Sequence, residues 1–524
     1  KDVPLLPWYT PDFGLLVSLL IQAGEPLAAS ADINTRVRRM THQRQNLPVA
    51  GSPPLDVPPV AASRHYRQLK LFRLQMQVQL ANAGEPFEVQ KHLFDRPLHA
   101  GIRMLPAGTH LAVRPGNGRV PDPVRYWDFD FREPDDPADE REYVEELARL
   151  FEQAVTRQLV SDVEVGSYLS GGMDSGSITA VAATHLPHMK TFTCGFDMHS
   201  ASGLESGCDE REQAELMSYC FQTEHYEMVL KAGDMERILP RLAWHIEEPR
   251  IGQSYPNFYA AQLARKFVTV CLAGAGGDEL FGGYPWRYYR AVVNDDFEHY
   301  IDKYYRFWQR LIPNRSIREV FKPIWPQVKH VWTRDIFRDV FGAHADRLHR
   351  PEDYVNHSLY FEAKTFLHGL LVVDDKLSAA QVRVPFLDND LVDFAMRVPA
   401  HLKLGNLAEV VGLNENEPGD KTARYFQRTS DGKLLLRQAM NRFVPPRVTG
   451  RVKQGFTAPD ASWFKGESID YVRRVLYDGR ARLYDYLDRE AVQALVDEHL
   501  EGRQNRRLLI WSLLSFEHWL ATFL

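Results

Sequence analysis

Between residues 165 and 285 the sequence alternates short β-like runs with helix-like segments, and this alternation restricts the fold more than any other feature. The β-like runs are VGSYL (165–169), KTFTCGF (190–196), EHYEMVL (224–230) and KFVTVCL (266–272). Strands that alternate with helices at this spacing indicate βαβ units and a parallel sheet. We therefore expect an α/β fold with a parallel sheet, followed from about residue 285 by a mostly helical C-terminal half.

The first part of the chain does not follow this alternation. Residues 46–63 are rich in proline, and a charged, proline-containing segment, REPDDPADER (132–141), precedes the first long helical pattern. Segments of this composition typically form loops or domain boundaries. We predict an N-terminal domain over 1–130, smaller and of α+β type, and a main domain over 139–524.

Composition and charge argue against several classes of function. The 63 Lys and Arg residues against 69 Asp and Glu leave a net charge of −6, so no broad basic field favours nucleic acid. The apolar run Leu15–Ile21 is too short to span a bilayer. The chain has four cysteines and no CxxC pair, which indicates neither a disulfide framework nor a zinc site. We expect a cytoplasmic protein with no nucleic-acid or membrane partner.

The most informative local sequence is Ser170-Gly171-Gly172-Met173-Asp174-Ser175, which follows a predicted strand and begins a predicted helix. Glycines allow a tight turn that points several N–H groups into one concavity, and a helix N-terminus adds partial positive charge. The two serines can donate hydrogen bonds, and the aspartate suits a magnesium ion. The loop thus favours phosphate or pyrophosphate, although a strand–helix turn with no ligand would also explain it. It is neither a Walker A loop nor a G-x-G-x-x-G sequence.

The loop also resembles the pyrophosphate loop of the asparagine synthetase family. Further segments resemble that family in the family's own order, over about 95–524: LPAGTHLAV, RYWDFD, TFTCGF, TEHYE, EEP, AGAGGDELFGGY, VRVPFLDNDLVDFAMRVP and VPPRVTGRVKQGFTAP. The resemblance implies the adenine-nucleotide α-hydrolase (PP-loop) type of fold, with a glutaminase-like region in 1–130 and a synthetase domain in 139–524. β-Lactam synthetases and lasso-peptide cyclases share this synthetase domain, so the resemblance leaves the substrate open.

The resemblance also implies roles for individual residues. Asp174 and Asp278 match the family's two magnesium-binding aspartates, and Lys453 matches its catalytic lysine, with Asp278 also counted in the catalytic set. The positions that match the family's ATP site are Leu169, Ser170, Gly171, Gly172, Asp174, Ser175, Cys194, Ala273 and Gly274. Cys194 is interpreted as part of the pocket wall rather than as a nucleophile, because nothing around it indicates a lowered pKa.

The chain departs from the family's pattern at three places. No cysteine precedes Cys194, whereas the family's glutaminase uses an N-terminal cysteine as its nucleophile; the region 1–130 is therefore expected to be degenerate or incomplete and not to hydrolyse glutamine. Ala275 stands where the family usually has an acidic residue. The segment Ser378–Gln381 is short, and Gln381 replaces a usual glutamate.

These observations predict an ATP- and Mg²⁺-dependent ligase that adenylates a carboxylate, releases pyrophosphate, and transfers the acyl group to ammonia or an amine with release of AMP. The carboxylate is a small molecule or a peptide, and Ala275 suggests that it differs from aspartate. Two alternatives remain at this stage. One is a PP-loop enzyme of another class, such as one that thiolates a nucleic-acid base, and the other is a non-catalytic homologue that acts as a scaffold or regulator. Homo-oligomerisation is also left open.

Overall fold

The structure is a computed structural model, and its described residues are 105–112, 122–202, 205, 207–249, 254–288, 296–308, 311–330, 332–369, 371, 381–405, 431–451 and 458–524. The chain divides into two units, one of Lys1–Lys70 with Lys91–Asp128 and one of Leu71–Gln90 with Phe129–Leu524. Most of the predicted N-terminal domain, 1–130, lies outside the described residues. In the first unit, β1 (Thr109–His110) pairs antiparallel with β2 (Val124–Arg125).

The second unit contains a parallel sheet, as the alternation of segments predicts. Its strands are β3 (Val165–Tyr168), β4 (Lys190–Phe196), β5 (Glu224–Leu230), β6 (Val270–Leu272) and β7 (Gln381–Arg383). They lie in the order β5-β4-β3-β6-β7, and each neighbouring pair is parallel. The expected α/β class is therefore confirmed.

Helices connect these strands and make up most of the described chain after β6. Those that precede β7 are α1 (Glu140–Gln158), α2 (Met173–His185), α3 (Arg211–Phe221), α4 (Ala232–Ile246), α5 (Tyr255–Arg265), α6 (Gly277–Phe281), α7 (Pro285–Tyr288), α8 (Phe297–Trp308), α9 (Asn314–Val320), α10 (Trp325–Val328), α11 (Arg334–Gly342) and α12 (Pro351–Glu362). Those that follow β7 are α13 (Asn389–Ala395), α14 (Ala400–Lys403), α15 (Leu434–Met440), α16 (Pro446–Thr449), α17 (Asp460–Trp463), α18 (Ile469–Leu476), α19 (Arg489–Leu500) and α20 (Arg507–Phe523). A π-helical turn, Ala363–Leu367, continues α12.

Local sequence explains how the elements nearest the sheet begin and pack. The side chain of Asp139 caps α1 by accepting a hydrogen bond of 2.9 Å from the Arg141 N–H, which supports the boundary expected before residue 140. In β3, a Cβ atom at Gly166 would lie 2.7 Å from the ring of Phe192, so this position allows β4 to pack closely. Phe192 belongs to a buried cluster with Leu263, Ala264, Val268 and Cys271.

The strand order determines where a ligand can enter the sheet. From β3 the chain continues to β4 and β5 on one side, and it later adds β6 and β7 on the other side. The loops that leave β3 and β6 therefore diverge at the carboxyl ends of two adjacent strands. In open parallel sheets, ligands bind in the crevice at such a switch point.

None of the described helices is long and apolar enough to cross a membrane. The C-terminal helix α20 is instead packed within the protein, and most of its apolar residues are buried.

Candidate functional site

The loops that follow β3 and β6 lie directly against each other at the switch point. The first is residues 170–175, and the second is residues 273–278. A Cβ atom at Gly274 would lie 3.1 Å from Cβ of Asp174, and one at Gly277 would lie 3.1 Å from Asp174 Oδ1. These two glycines thus allow the loops to approach so closely that Asp174 and Asp278 share one site.

The loop 170–175 is held in shape by its own serines. The Ser170 N–H donates to Ser175 Oγ over 3.0 Å, and the two hydroxyl oxygens lie 3.0 Å apart within hydrogen-bonding distance. The Gly172 N–H donates to Ser170 Oγ over 3.1 Å, and Gly172 is the N-cap of α2. Both serines therefore organise the loop, which presents the N-terminus of α2 to the crevice.

A lysine that the sequence analysis did not single out bridges the two aspartates. Lys433 Nζ lies 2.5 Å from Asp174 Oδ2 and 2.6 Å from Asp278 Oδ1. Lys433 is only 3% exposed. Among the described residues, no hydrogen-bond donor contacts the buried Asp174 Oδ1. The centre of the site is thus a lysine between two carboxylates, with one carboxylate oxygen still available.

Glycines that follow α6 make room for this cluster. A Cβ atom at Gly283 would lie 1.9 Å from Asp278 Oδ1 and 2.7 Å from Cε of Lys433. Gly282 has a φ of +70°, which turns the chain at the end of α6. A Cβ atom at Gly432 would lie 2.6 Å from the Gly282 carbonyl oxygen. The glycines in GDELFGGY are therefore needed for the close approach of Lys433.

Two arginines connect the site to the chain on the N-terminal side of Lys453. Arg437, one helical turn after Lys433, donates to the carbonyl oxygens of Gly432, Thr449 and Arg451. Arg451 Nη1 donates to the Gly171 carbonyl oxygen over 3.0 Å. Burial lowers the pKa of Arg437, whereas the charges of Asp174 and Asp278 act in the opposite direction. The segment before residue 452 is thus fixed against the loop that follows β3.

Two further buried carboxylic acids, Glu362 and Glu279, belong to the surroundings of the aspartates. Glu362 accepts from Arg287 Nη1 over 2.6 Å and from the Tyr304 hydroxyl over 3.0 Å. Glu279, which follows Asp278, is 2% exposed. Burial, with a further contribution from the charge of Asp278, raises the pKa of Glu279 to about 8. This upward shift favours the neutral form of Glu279, which limits the negative charge next to the aspartates.

The remaining predicted positions of the nucleotide site also lie at this edge of the sheet. Leu169 follows β3; its N–H donates to the Phe192 carbonyl over 3.0 Å, and its carbonyl accepts from the Thr193 hydroxyl. Ala273 follows β6 and donates its N–H to the Arg383 carbonyl over 2.8 Å. Cys194 is buried in β4, and burial raises the pKa of its thiol to about 12. That direction is opposite to the one a nucleophilic cysteine needs.

Of the predicted residues, the structure therefore brings together the loops 170–175 and 273–278. Lys453 lies outside the described residues, as does the segment 378–380 before β7. Ala275 lies in the loop between β6 and α6 and is partly exposed. Lys433 and Arg437 were missed, although their i, i+4 spacing at the start of an apolar helix, GKLLLR, places two basic residues on one face.

Comparison with known proteins shows the family of the chain. The model of the family described as asparagine synthase matches residues 146–521. A putative glutamine-hydrolysing asparagine synthetase of Mycobacterium tuberculosis is 28% identical over 464 residues, which covers 81% of this chain and 65% of the relative. Asparagine synthetase 1 of Bacillus subtilis is 28% identical over 455 residues, which covers 80% of this chain and 65% of the relative. The chain thus spans about two-thirds of the length of the curated relatives that it matches.

Solved structures give a weaker likeness. The NH3-dependent NAD synthetase of Campylobacter jejuni aligns with a TM-score of 0.18 and 17% identity, over 28% of this chain and 61% of that one. The NMN synthetase of Francisella tularensis aligns with a TM-score of 0.20 and 14% identity, over 42% of this chain and 95% of that one.

The family match includes β3 to β7, both loops of the switch point and Lys433. It also extends over more than two-thirds of the 524 residues. The chain therefore belongs to the asparagine synthase family.

Proposed function

We propose that the chain is an ATP-dependent amide-forming ligase, which adenylates a carboxylate with release of pyrophosphate and then transfers the acyl group to ammonia or an amine with release of AMP. The observation that carries the proposal is the convergence of Asp174, Asp278 and Lys433 at the sheet's switch point. A loop that presents a helix N-terminus, next to two carboxylates and a lysine, is suited to the polyphosphate of a nucleotide.

The residues present fit a magnesium ion. The two carboxylates converge on one point, Asp174 Oδ1 has no hydrogen-bond donor among the described residues, and a positive charge, Lys433 Nζ, already lies between them. Within the described part of the chain, no three His, Cys, Asp or Glu side chains form a metal site. Two protein carboxylates completed by phosphate oxygens and water are, however, usual for Mg²⁺. Asp174 and Asp278 would hold the ion, and it would neutralise charge on the phosphates when bound.

The residues of this chain then have distinct tasks. The N–H groups at the N-terminus of α2 would bind phosphate oxygens, and the two serines, which accept from the Ser170 and Gly172 N–H groups, keep the loop in its binding shape. Lys453, which we propose as the catalytic lysine, would stabilise the charge that develops as the bond to pyrophosphate breaks. Arg437 and Arg451 position the chain that leads to Lys453, because they bind carbonyl oxygens of Thr449, Arg451 and Gly171.

The acyl acceptor and donor are proposed at the level of chemical class. The donor is a small-molecule or peptide carboxylate, and the acceptor is ammonia or an amine. Ala275, between β6 and α6, offers no charge to the ammonium group of an amino-acid substrate. We therefore propose a carboxylate other than aspartate.

The test is a screen of candidate acids for ATP–pyrophosphate exchange, followed by product analysis with the acid that supports exchange. AMP and pyrophosphate are the expected products, and Asp174→Asn should abolish exchange. ADP and phosphate as main products would refute the adenylation chemistry. ATP binding without exchange for any acid would instead favour the non-catalytic homologue, for which Ala275 is the supporting observation.

A further inference from the structure

The ammonium group of Lys433 lies where the proposed function requires a divalent cation. Its Nζ is 2.5 Å from an oxygen of Asp174 and 2.6 Å from an oxygen of Asp278. A magnesium ion that binds both carboxylates directly would have ligand oxygens at about 2.0–2.1 Å on either side. A metal ion between these same two oxygens would overlap the ammonium group, so it could bind there only by displacing Lys433 Nζ.

The backbone holds Lys433 in this position. Lys433 has a φ of +59°, a left-handed conformation that few residues other than glycine and asparagine adopt readily. Its N–H donates to the Phe281 carbonyl over 3.2 Å, and Gly283 leaves space for its side chain. Strained backbone at a site is retained where the side chain has a task. The lysine is therefore a fixed part of the site and not a mobile surface residue.

We propose that Lys433 is a built-in counter-cation, which neutralises Asp174 and Asp278 until a divalent metal displaces its ammonium group. This inference rests on the metal site of the proposed function and adds a condition for its occupancy. The metal alone must break two buried ion pairs and leaves the ammonium without an anionic partner. Metal that arrives with a nucleotide also brings phosphate oxygens, which give the displaced ammonium new partners. Lys433 therefore makes the binding of metal and nucleotide cooperative and weakens the binding of metal in the absence of nucleotide.

The experiment measures Mn²⁺ binding to the nucleotide-free protein by electron paramagnetic resonance of the free ion. Lys433→Met keeps most of the length of the side chain and removes its charge, so Mn²⁺ should bind roughly tenfold more tightly or better than in wild type. Lys190→Met is the matched control, because Lys190 also pairs with a carboxylate, Glu164 at 2.9 Å, at the opposite end of the sheet. It should bind Mn²⁺ as wild type does. Asp174→Asn in the Lys433→Met background should remove the gain. Equal or weaker binding by Lys433→Met would overturn the proposal.

A second measurement uses the wild-type protein and does not depend on the folding of the variant. Acetic anhydride labels accessible amines, and peptide mass spectrometry quantifies each lysine. Lys433 should be labelled slowly without metal and faster as Mn²⁺ is added, whereas labelling of Lys190 should stay constant. Labelling of Lys433 that does not change up to millimolar Mn²⁺ would contradict displacement. Neither measurement uses ATP or an acyl substrate, so failure here is distinguishable from failure of the proposed ligase activity.

Discussion

Gly283→Ala tests the geometry of the site with the smallest possible change. The added Cβ would lie 1.9 Å from Asp278 Oδ1 and 2.7 Å from Cε of Lys433, and both distances are shorter than a van der Waals contact. Non-bonded carbon atoms are normally about 3.5–4.0 Å apart, so the carboxylate must move by about 1 Å or more. Such a shift takes Asp278 Oδ1 away from Nζ, which lies 2.6 Å from it in the native site.

The expected loss of stability in Gly283→Ala follows from these distances. Overpacking of a well-packed site typically costs about 1–3 kcal/mol, and the weakened ion pair adds to it. For a unit of this size we expect Tm to fall by roughly 1–5 °C. Mn²⁺ binding and ATP–pyrophosphate exchange should fall strongly, because the two carboxylates no longer converge on one point.

The assays are thermal unfolding followed by circular dichroism, Mn²⁺ binding and pyrophosphate exchange. Gly233→Ala and Gly342→Ala are matched controls, since a Cβ at either position meets nothing within 4 Å. Both controls should stay within about 0.5 kcal/mol of wild type. If Gly283→Ala had the unfolding midpoint and exchange rate of wild type, the close contact between Asp278 and Lys433 could not exist as described.

Three further outcomes are expected. Lys453→Ala should abolish amide formation in steady-state assays while nucleotide affinity, measured by calorimetry, survives; a rate above about a tenth of wild type, a loss below about 1.4 kcal/mol, would be incompatible with a catalytic role. Ala275→Glu should gain asparagine formation from aspartate, ATP, magnesium and ammonia, and robust formation by wild type would refute a changed substrate. Asp460→Asn should flatten the pH dependence of the unfolding midpoint. Burial, with the charge of Glu205, raises the pKa of Asp460 to about 8, against an unfolded value near 3.8. The contribution of Asp460 to stability is therefore complete below pH 3.8 and is lost as the pH rises towards 8. A wild-type midpoint that rises between pH 5 and 8, with no effect of the variant on the slope, would contradict this assignment.

Sequence patterns predicted the sheet because strand composition is local. KTFTCGF and EHYEMVL occupy β4 and β5 with the bounds read from the sequence, and the first is rich in β-branched and aromatic residues. The two loops with glycines and aspartates lie side by side, since adjacent parallel strands bring their carboxyl-end loops together. Whether these loops bind ATP and magnesium remains a prediction.

Lys433 could not be found in this way because its function depends on distant residues. The sequence GKLLLR is an ordinary start of an apolar helix, and nothing local indicates a left-handed backbone or two acidic partners. The same reasoning applies to Arg383. Its guanidinium donates to the carbonyl oxygens of Gln158 and Val160. A hydrogen bond from a basic side chain to a backbone carbonyl cannot be predicted from the sequence, since every residue has a carbonyl that could accept it.

The ion pair between Asp174 and Lys433 joins positions 259 residues apart in the chain. Closing a loop of that length costs roughly 5 kcal/mol of chain entropy, which only the completed packing of the helical half can offset. During synthesis, the ribosome releases the loops 170–175 and 273–278 before Lys433 exists. Until then the nascent chain lacks the ammonium group that pairs with Asp174 and Asp278, so the cluster can be completed only after the chain as far as Lys433 has been synthesised. A chain whose first strands have already folded therefore still needs α15 in place before the cluster of Asp174, Asp278 and Lys433 is complete.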